Sequence, residues 1–272
     1  MRSSTPIGIS LGPVSDGTHL RQAPVLDELG FSSLWIAGGQ LDRLDHVDDL
    51  LRATSSARIG TGVVPLGRYS AADVVALAAR VGTDRFVAGL GGPQSARPVT
   101  DLLPHLDALD AGGFGPEQRL LAALGPRKLE LARDRAAGAL TLLTTPAHTA
   151  EARSVLGPDR RLVVHQFVVD DGDAVRARAT ARPTVGFLVG VGGYRASLRR
   201  EGMSDVDIDT VSDRLLDAVV AHGSRAAVAE RIAAHAAAGA DEVVLSVLAG
   251  EGEPDLLATA RRWMAAEELE MI

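Results

Sequence analysis

Eight short apolar segments alternate along the sequence with segments of helical periodicity. The apolar segments are residues 7–11, 33–37, 58–64, 85–90, 120–124, 139–143, 161–169 and 242–248. Strands that are apolar on both faces are typical of a parallel sheet covered by helices. An open doubly wound sheet usually has about five or six strands, whereas eight strand–helix units in about 250 residues match a closed barrel. The alternation therefore predicts an α/β fold, a (β/α)8 TIM barrel.

Glycine and proline mark the boundaries of the predicted helices. These helices are residues 18–29, 45–51, 70–81, 102–109, 126–132, 145–156, 171–181, 211–222, 225–238 and a closing helix that begins at Pro254. Gly30, Gly157 and Gly239 stand where helices end, a position that favours glycine. The face of the closing helix that we expect to be buried consists of Leu256, Leu257, Ala260, Trp263 and Met264.

The domain organisation follows from the same alternation. The sequence contains neither a linker nor a tandem repeat beyond the strand–helix units, so we expect residues 1–272 to form a single barrel domain. A longer segment after the seventh strand, about residues 182–210, is predicted to be an insertion. In such barrels the functional groups lie in the loops that follow the carboxyl ends of the strands.

Charge and composition exclude several classes of function. Twenty-eight basic residues against thirty-five acidic ones give a net charge of −7, which argues against nucleic-acid binding. The chain has no cysteine, which excludes disulfides and thiolate metal sites and favours a reducing compartment. Neither a signal-peptide pattern nor an apolar run of about 18 residues appears. We therefore expect a cytoplasmic protein with a small-molecule substrate and no membrane partner.

Two glycine-rich segments follow the third and fourth strands. Around Gly62 and Val63, glycines either let a planar ligand approach the backbone or relieve crowding inside the barrel. Gly91 and Gly92 belong to a partial GxG pattern without the remaining glycine and acidic residue of a dinucleotide fingerprint. A Rossmann-type nucleotide site is therefore not expected.

The fifth strand runs into the turn Gly125-Pro126-Arg127 and then into a helix. Such a turn places free backbone N–H groups and the positive end of a helix dipole at one point. Pro126 suits the first helical turn, because the N–H that it lacks would have no partner there. The turn is either a phosphate or carboxylate site or a plain strand–helix connection.

A resemblance emerges from the ordered set of segments along the chain. The segments are ELGFSSLWIAGG, ARIGTGVVPL, DRFVAGLGG, RLLAALGPRKLELARDRAAGA, TPAHTAEARSVLGP, YRASLRREG and SDRLLDAVVAHGSRAAVAERIAAHAAAGADEVVL. Together they resemble the luciferase-like monooxygenase superfamily, and within it the oxidoreductases that use the deazaflavin coenzyme F420. The resemblance spans most of the chain, and the fifth-strand and C-terminal segments are its most specific parts.

The resemblance implies a luciferase-like barrel with the deazaflavin across its C-terminal mouth. In this family the end of the third strand often holds a non-proline cis peptide that packs against the deazaflavin ring. Gly62 and Val63 match these two residues. The cofactor's phosphate tail would meet the turn Gly125-Pro126-Arg127, and Gly91 and Gly92 would line the ring or its side chain. The implied activity is hydride transfer between coenzyme F420 and a small organic substrate. An FMN-dependent monooxygenase or reductase of the same superfamily is the alternative.

The segment 184–203 resembles the family's insertion on the substrate side of the mouth. Tyr194, Arg195 and Arg199 would then face a polar or anionic substrate. Arg195 and Arg199 are also one helical turn apart, so they could instead form a solvated face. Family members often form dimers, so the resemblance also allows a homodimer.

The sequence departs from the family where the second strand ends. The family commonly has polar, acidic or histidine residues there, whereas this chain has Ala37-Gly38-Gly39-Gln40. The loop after the fourth strand also looks shortened. No catalytic residue is therefore assigned, and a non-catalytic cofactor-binding barrel stays open as an alternative.

The histidines add no clear signal to this picture. His165 alternates with valines and either enters the barrel or packs outside it, and we expect a structural role. His148 begins a helix and could accompany a phosphate tail there, but we expect capping or exposure instead. No His, Asp and Glu spacing indicates a metal site.

Overall fold

The computed structural model describes residues 5–13, 15–249 and 255–264 of the chain. Ten strands lie in these ranges: β1 (Ile7–Leu11), β2 (Ser33–Ala37), β3 (Arg58–Gly62), β4 (Val64–Pro65), β5 (Phe86–Gly91), β6 (Arg119–Ala122), β7 (Gly138–Leu142), β8 (Arg161–Val169), β9 (Val220–His222) and β10 (Glu242–Val247). The α-helices of the same ranges are α1 (Thr18–Glu28), α2 (Asp45–Ala53), α3 (Ala71–Val81), α4 (Leu103–Ala111), α5 (Pro126–Arg135), α6 (Pro146–Leu156), α7 (Ala174–Val189), α8 (Tyr194–Arg200), α9 (Asp205–Asp209), α10 (Asp213–Val219), α11 (Arg225–Ala237) and α12 (Leu256–Met264).

Eight of the strands close into a parallel barrel in the order β1, β2, β3, β5, β6, β7, β8 and β10. Pairing of β10 with both β8 and β1 completes the ring. The two remaining strands are short additions, β4 beside β5 and β9 beside β8. Helices surround this barrel, so the (β/α)8 fold predicted from the sequence is confirmed.

Local sequence signals set several helix boundaries. Ser70 and Asp73 form a capping box at the start of α3, and Thr145 caps α6 by accepting the His148 N–H. Gly82 and Gly157 follow these two helices with φ of 75° and 79°, which L-residues with side chains rarely adopt.

Two predicted helices differ from the observed ones because tertiary packing overrides local preference. The helix predicted over 211–222 ends at Val219, and the chain continues as β9, whose residues pair with the end of β8. The helix predicted to end at Ala181 runs on through Pro183 as α7, because Val185 and Val189 are buried in the core beneath it. Pro254 lies outside the described residues, but the buried side chains of α12 include Leu256, Ala260 and Trp263 as predicted.

The core has three parts. The largest fills the space between the barrel and its helices. The second lies under α7, α8, α9 and α10, at the end of β8. The third fills the inside of the barrel and consists of Trp35, Val87, Leu120, Leu140, Val163 and Val244. No helix within the described ranges is long and apolar enough to cross a membrane.

A buried charge lies inside the barrel at the amino end of the strands. Glu242 is 1% exposed, and its carboxylate accepts hydrogen bonds from Ser33 Oγ and from the Arg161 guanidinium. Arg58 Nη2 donates to the same carboxylate at 3.2 Å. Because two cations share one buried anion, loss of that anion leaves both guanidiniums without their counter-charge.

Replacement of Glu242 by Gln should therefore lower the free energy of unfolding by about 3–5 kcal/mol, the usual cost of breaking a buried ion pair. The measurement is urea denaturation of the two proteins at pH 7. Glu117→Gln is the matched control, because Glu117 is 75% exposed in its ion pair with Arg160, and exposed pairs contribute about 0–1 kcal/mol. Equal effects of the two substitutions would contradict a stabilising role for the buried cluster.

Candidate functional site

The carboxyl ends of the barrel strands and the loops that follow them form one end of the barrel, which we call the mouth. The predicted cofactor residues follow β3, β5 and β6. These three strands are consecutive neighbours in the barrel. The topology therefore places all the predicted cofactor residues on one side of the mouth.

The peptide between Gly62 and Val63 is cis, as the family resemblance implied. Two glycines pack directly against it. A methyl group on Gly38 would lie 2.5 Å from Val63 N, and one on Gly91 would lie 2.5 Å from Val63 Cγ2. Both contacts are too close for a Cβ atom, so β2, β3 and β5 converge on this peptide only because glycine stands at positions 38 and 91. Gly92 instead faces Leu102, where a methyl group would lie 3.4 Å from Cδ2 in ordinary contact.

The same packing explains the missing polar side chain at the end of β2. Gly38 cannot carry one without displacing the Val63 backbone. Gly39 is open to solvent, and the Gln40 amide lies over Gly12 at the end of β1, where a methyl group would be 2.6 Å away. The Gln40 amide, which does not titrate, is thus one polar group at this edge of the mouth.

The turn at Gly125, Pro126 and Arg127 begins α5 without a side-chain cap. The N–H groups of Lys128 and Leu129 both donate to Gly125 O at 3.0 Å. No acceptor among the described residues takes the Arg127 N–H, and the Arg127 side chain is exposed and has no ion pair there. These groups leave the positive end of α5 available to an anion.

Two further cations lie at this turn. Lys128, the only lysine of the chain, is half-buried and has no ion pair within the described ranges, and burial lowers its pKa. Arg200, from the end of α8, donates through Nη2 to Leu124 O at 2.9 Å. Its guanidinium would lie 3.7 Å from a methyl group on Gly125. The turn thus gathers three cationic side chains around one uncapped helix.

The insertion, residues 182–210, reaches across the mouth to three strand ends. Glu201 accepts hydrogen bonds from Thr145 N at 3.0 Å and Thr145 Oγ1 at 2.6 Å, so its carboxylate is seated at the start of α6. Gly192 contacts the Gln94 side chain in the loop after β5. The insertion is therefore attached to the loops after β5, β6 and β7.

The three predicted substrate residues are all in α8, but their side chains differ in availability. Arg195 pairs with Asp209 at 2.5 Å, and Arg199 pairs with Asp205 at 2.6 Å, so both charges are matched within the insertion. Tyr194 is partly buried against the second core, and burial raises its pKa to about 12. Arg200 and Glu201, which the sequence did not single out, make the contacts to the strand ends instead.

His165 enters the barrel from β8. Its ring packs edge-to-face on Trp35 with centroids 4.9 Å apart, and its Cε1 would lie 2.9 Å from a methyl group on Gly62. Burial lowers the pKa of His165 to about 4. The neighbouring Gln166 points outward to His235, at 2.9 Å. Because both faces of β8 are buried, the sequence pattern could not tell which of the two residues faces inward.

The remaining polar features lie outside this arrangement. His148 is buried and its Nε2 bonds Leu124 O at 2.8 Å, which fixes the loop beside the α5 turn. Two open grooves, of about 460 and 540 Å³, lie beside Asp45 and Arg80 and beside Arg133 and Arg160. Their arginines are already paired or bonded, for example Arg80 with Asp45 at 2.6 Å. In the described ranges no three His, Asp or Glu side chains are grouped so as to hold a metal ion.

Solved structures share this fold over nearly the whole chain. The coenzyme F420-dependent tetrahydromethanopterin reductase from Methanopyrus kandleri matches with a TM-score of 0.70 and 16% identity, covering 98% of each chain. An F420-dependent secondary alcohol dehydrogenase in complex with an F420-acetone adduct matches with a TM-score of 0.69 and 16% identity, covering 90% of this chain and 94% of the other.

A flavin enzyme has the same fold. The oxygenating constituent of 3,6-diketocamphane monooxygenase from Pseudomonas putida, in complex with FMN, matches with a TM-score of 0.66 and 14% identity, covering 96% of each chain. No family model matches the sequence, and no curated protein matches it either. The comparisons thus confirm the (β/α)8 barrel fold over nearly the whole chain.

The two buried histidines predict a loss of stability in acid. Burial lowers the pKa of both His165 and His235 to about 4, below the value of 6.5 expected in the unfolded chain. The unfolded state therefore binds more protons between these values, and the folded state loses stability as the pH falls from about 6.5 towards 4. Urea denaturation at pH 7 and pH 4.5 should show a loss of about 2–3 kcal/mol per histidine.

The double variant His165→Gln with His235→Gln should flatten this pH dependence, because glutamine does not titrate. An unchanged slope in the double variant would mean that other groups cause the acid sensitivity. Carboxylates contribute to the acid sensitivity only at lower pH. For example, hydrogen bonds from Ser204 and Ser212 lower the pKa of Asp207 to about 2, so its protonation destabilises the fold only near that pH.

Proposed function

We propose that this protein is an oxidoreductase that transfers a hydride between coenzyme F420 and a small organic substrate. The observation that carries the proposal is the uncapped start of α5, surrounded by Arg127, Lys128 and Arg200. It stands two strands away from the glycine-lined Gly62–Val63 peptide at the same mouth. An anion site next to a narrow, glycine-lined surface suits a planar ring with a phosphate-bearing tail.

The cationic turn fits the phosphate group. A helix terminus alone contributes about 0.3–1 kcal/mol, so the guanidinium groups are needed to hold a doubly charged phosphate. Arg127 and Lys128 are without ion pairs in the described ranges, and Arg200 holds its position through Leu124 O. Glu201 supplies one negative charge against these three positive charges, and its carboxylate is bonded to the Thr145 N–H and hydroxyl.

The glycine-lined surface fits the ring. Gly38 and Gly91 hold the Val63 backbone and side chain in place by contacts that exclude any Cβ atom. When bound, the deazaflavin would supply the carbon that accepts or releases the hydride. The protein's own residues would bind the tail, orient the ring and limit access of water through the insertion, and hydride transfer needs little more from a protein.

FMN is the second candidate cofactor. One solved structure with this fold holds FMN, which also combines a planar ring with a phosphate. The cationic turn would serve either molecule, so binding measurements must separate them.

Titration of the purified protein with F420 and with FMN separates these proposals. We expect F420 to bind with a Kd of about tens of micromolar or tighter, measured by fluorescence or calorimetry. FMN binding without F420 binding would replace F420 by FMN in the proposal. Binding of neither cofactor would reject the proposed oxidoreductase.

Arg127→Glu should weaken binding of the cofactor at least about tenfold, or 1.4 kcal/mol, because it places a carboxylate where the phosphate is expected. Arg133→Glu is the matched control, since it makes the same charge change on the same helix at an exposed position paired with Asp134. Equal affinities of both variants and the original protein would show that the α5 turn is only a strand–helix connection.

A further inference from the structure

His165 differs from the other buried histidines in its hydrogen bonding. His235 is bonded at both ring nitrogens, to Thr149 Oγ1 at 2.8 Å and to Gln166 Oε1 at 2.9 Å. His46 and His148 are each bonded through Nε2, to Asp42 Oδ1 and to Leu124 O, and the buried Nδ1 of each has no partner among the described residues. His165 differs because neither of its ring nitrogens forms a hydrogen bond to a described residue. The Nε2 atom of His165 is buried and has no hydrogen-bond partner within residues 5–13, 15–249 and 255–264. A buried polar atom without a hydrogen bond costs about 1–3 kcal/mol of stability, so the missing partner of this nitrogen needs an explanation.

The position of His165 relates it to the mouth. Its register partners are Leu142, the last residue of β7, and Val244, in the middle of β10. Trp35 packs below its ring, towards the buried Glu242. The imidazole thus lies inside the barrel on the mouth side of Trp35, and it keeps 7% of its surface exposed.

The edge of the imidazole that carries Nε2 lies against Gly62. A methyl group on Gly62 would be 2.9 Å from Cε1 and 3.3 Å from Nε2. Glycine is therefore required at position 62 to make room for this ring. The unpartnered nitrogen therefore lies on the side of the imidazole that faces Gly62, at the cis peptide where the proposed ring would rest.

Three carboxylates around the mouth already have partners. Asp170 is bonded to the Arg262 guanidinium, Asp171 pairs with Arg176, and Glu201 is bonded to Thr145. Among the described residues that project into the barrel near the mouth, His165 is the titratable one, and its hydrogen-bonding capacity is unused.

We propose that His165 binds the cofactor ring through a hydrogen bond between Nε2 and a polar atom at the ring edge. This inference rests on the proposed function, because it requires a cofactor at Gly62–Val63. A neutral imidazole can either donate or accept such a bond, depending on its tautomer. Ring carbonyl oxygens and ring nitrogens of a deazaflavin or flavin supply matching groups.

The direct test is nitrogen NMR of the ¹⁵N-histidine-labelled protein, with the His165 resonances assigned from the spectrum of His165→Gln. F420 and FMN are added separately, without substrate. We expect the Nε2 resonance of His165 to move when the cofactor binds, while the His235 resonances stay in place. A bound cofactor that leaves the His165 Nε2 resonance unchanged would overturn the inference, whereas a protein that binds neither cofactor would overturn the proposed function.

Variants provide a second, independent measurement. His165→Leu removes the hydrogen bond at similar volume and should raise the cofactor Kd about five- to tenfold. His165→Gln keeps a hydrogen-bonding group and should stay within about threefold of the original protein. His235→Gln is the control, because His235 is equally buried but lies outside the barrel, and it should leave the Kd unchanged.

Unchanged affinity in His165→Leu would assign His165 a packing role under Gly62. Thermal unfolding of each variant identifies loss of fold, and the NMR experiment on the unaltered sequence decides the question if His165→Leu does not fold.

Discussion

Pairing of β10 with β8 is the interaction on which the rest of the structure depends, because it closes the sheet into a ring. Closure brings Glu242 beside Arg161 and, across β1, beside Ser33 on β2. It also gathers all eight carboxyl strand ends at one mouth. An open sheet of the same strands would leave the ends of β3 and β8 far apart, and His165 could not lie against Gly62.

The polarity of the side chains inside the barrel changes along the barrel axis. A charged cluster around Glu242 lies at the amino end of the strands, and an apolar layer that includes Trp35 separates it from the mouth. Trp35 links the two levels, because its Nε1 donates to Ser33 Oγ at 2.7 Å while its ring packs on His165. The charged end is satisfied internally and stabilises the fold, whereas the mouth retains an unsatisfied nitrogen and an uncapped helix. Paired charges and unpaired polar groups thus lie at opposite ends of the barrel.

The candidate site is formed by two parts of the chain, the loops after the barrel strands and the insertion. The apolar core of the insertion holds α8 beside the strand ends. Within the insertion, Arg195 pairs with Asp209 and Arg199 pairs with Asp205. The residues that follow directly, Arg200 and Glu201, then reach the loops after β6 and β7. In an α-helix, neighbours along the sequence point in different directions, so adjacent arginines take part in different interactions.

The sequence by itself determined the eight strand–helix units, most of their boundaries and the start of a helix directly after the turn at Gly125, because these follow from periodicity, capping and backbone chemistry. It could not determine that His165 faces inward and Gln166 outward, since both faces of β8 are buried and the pattern of apolar residues is the same on each. Nor could it show that Gly38 is excluded from carrying a side chain by Val63, or that Arg200 joins the turn at Gly125. Only the tertiary structure decided these points, because each depends on a contact between residues far apart in the sequence that closure of the barrel brings together.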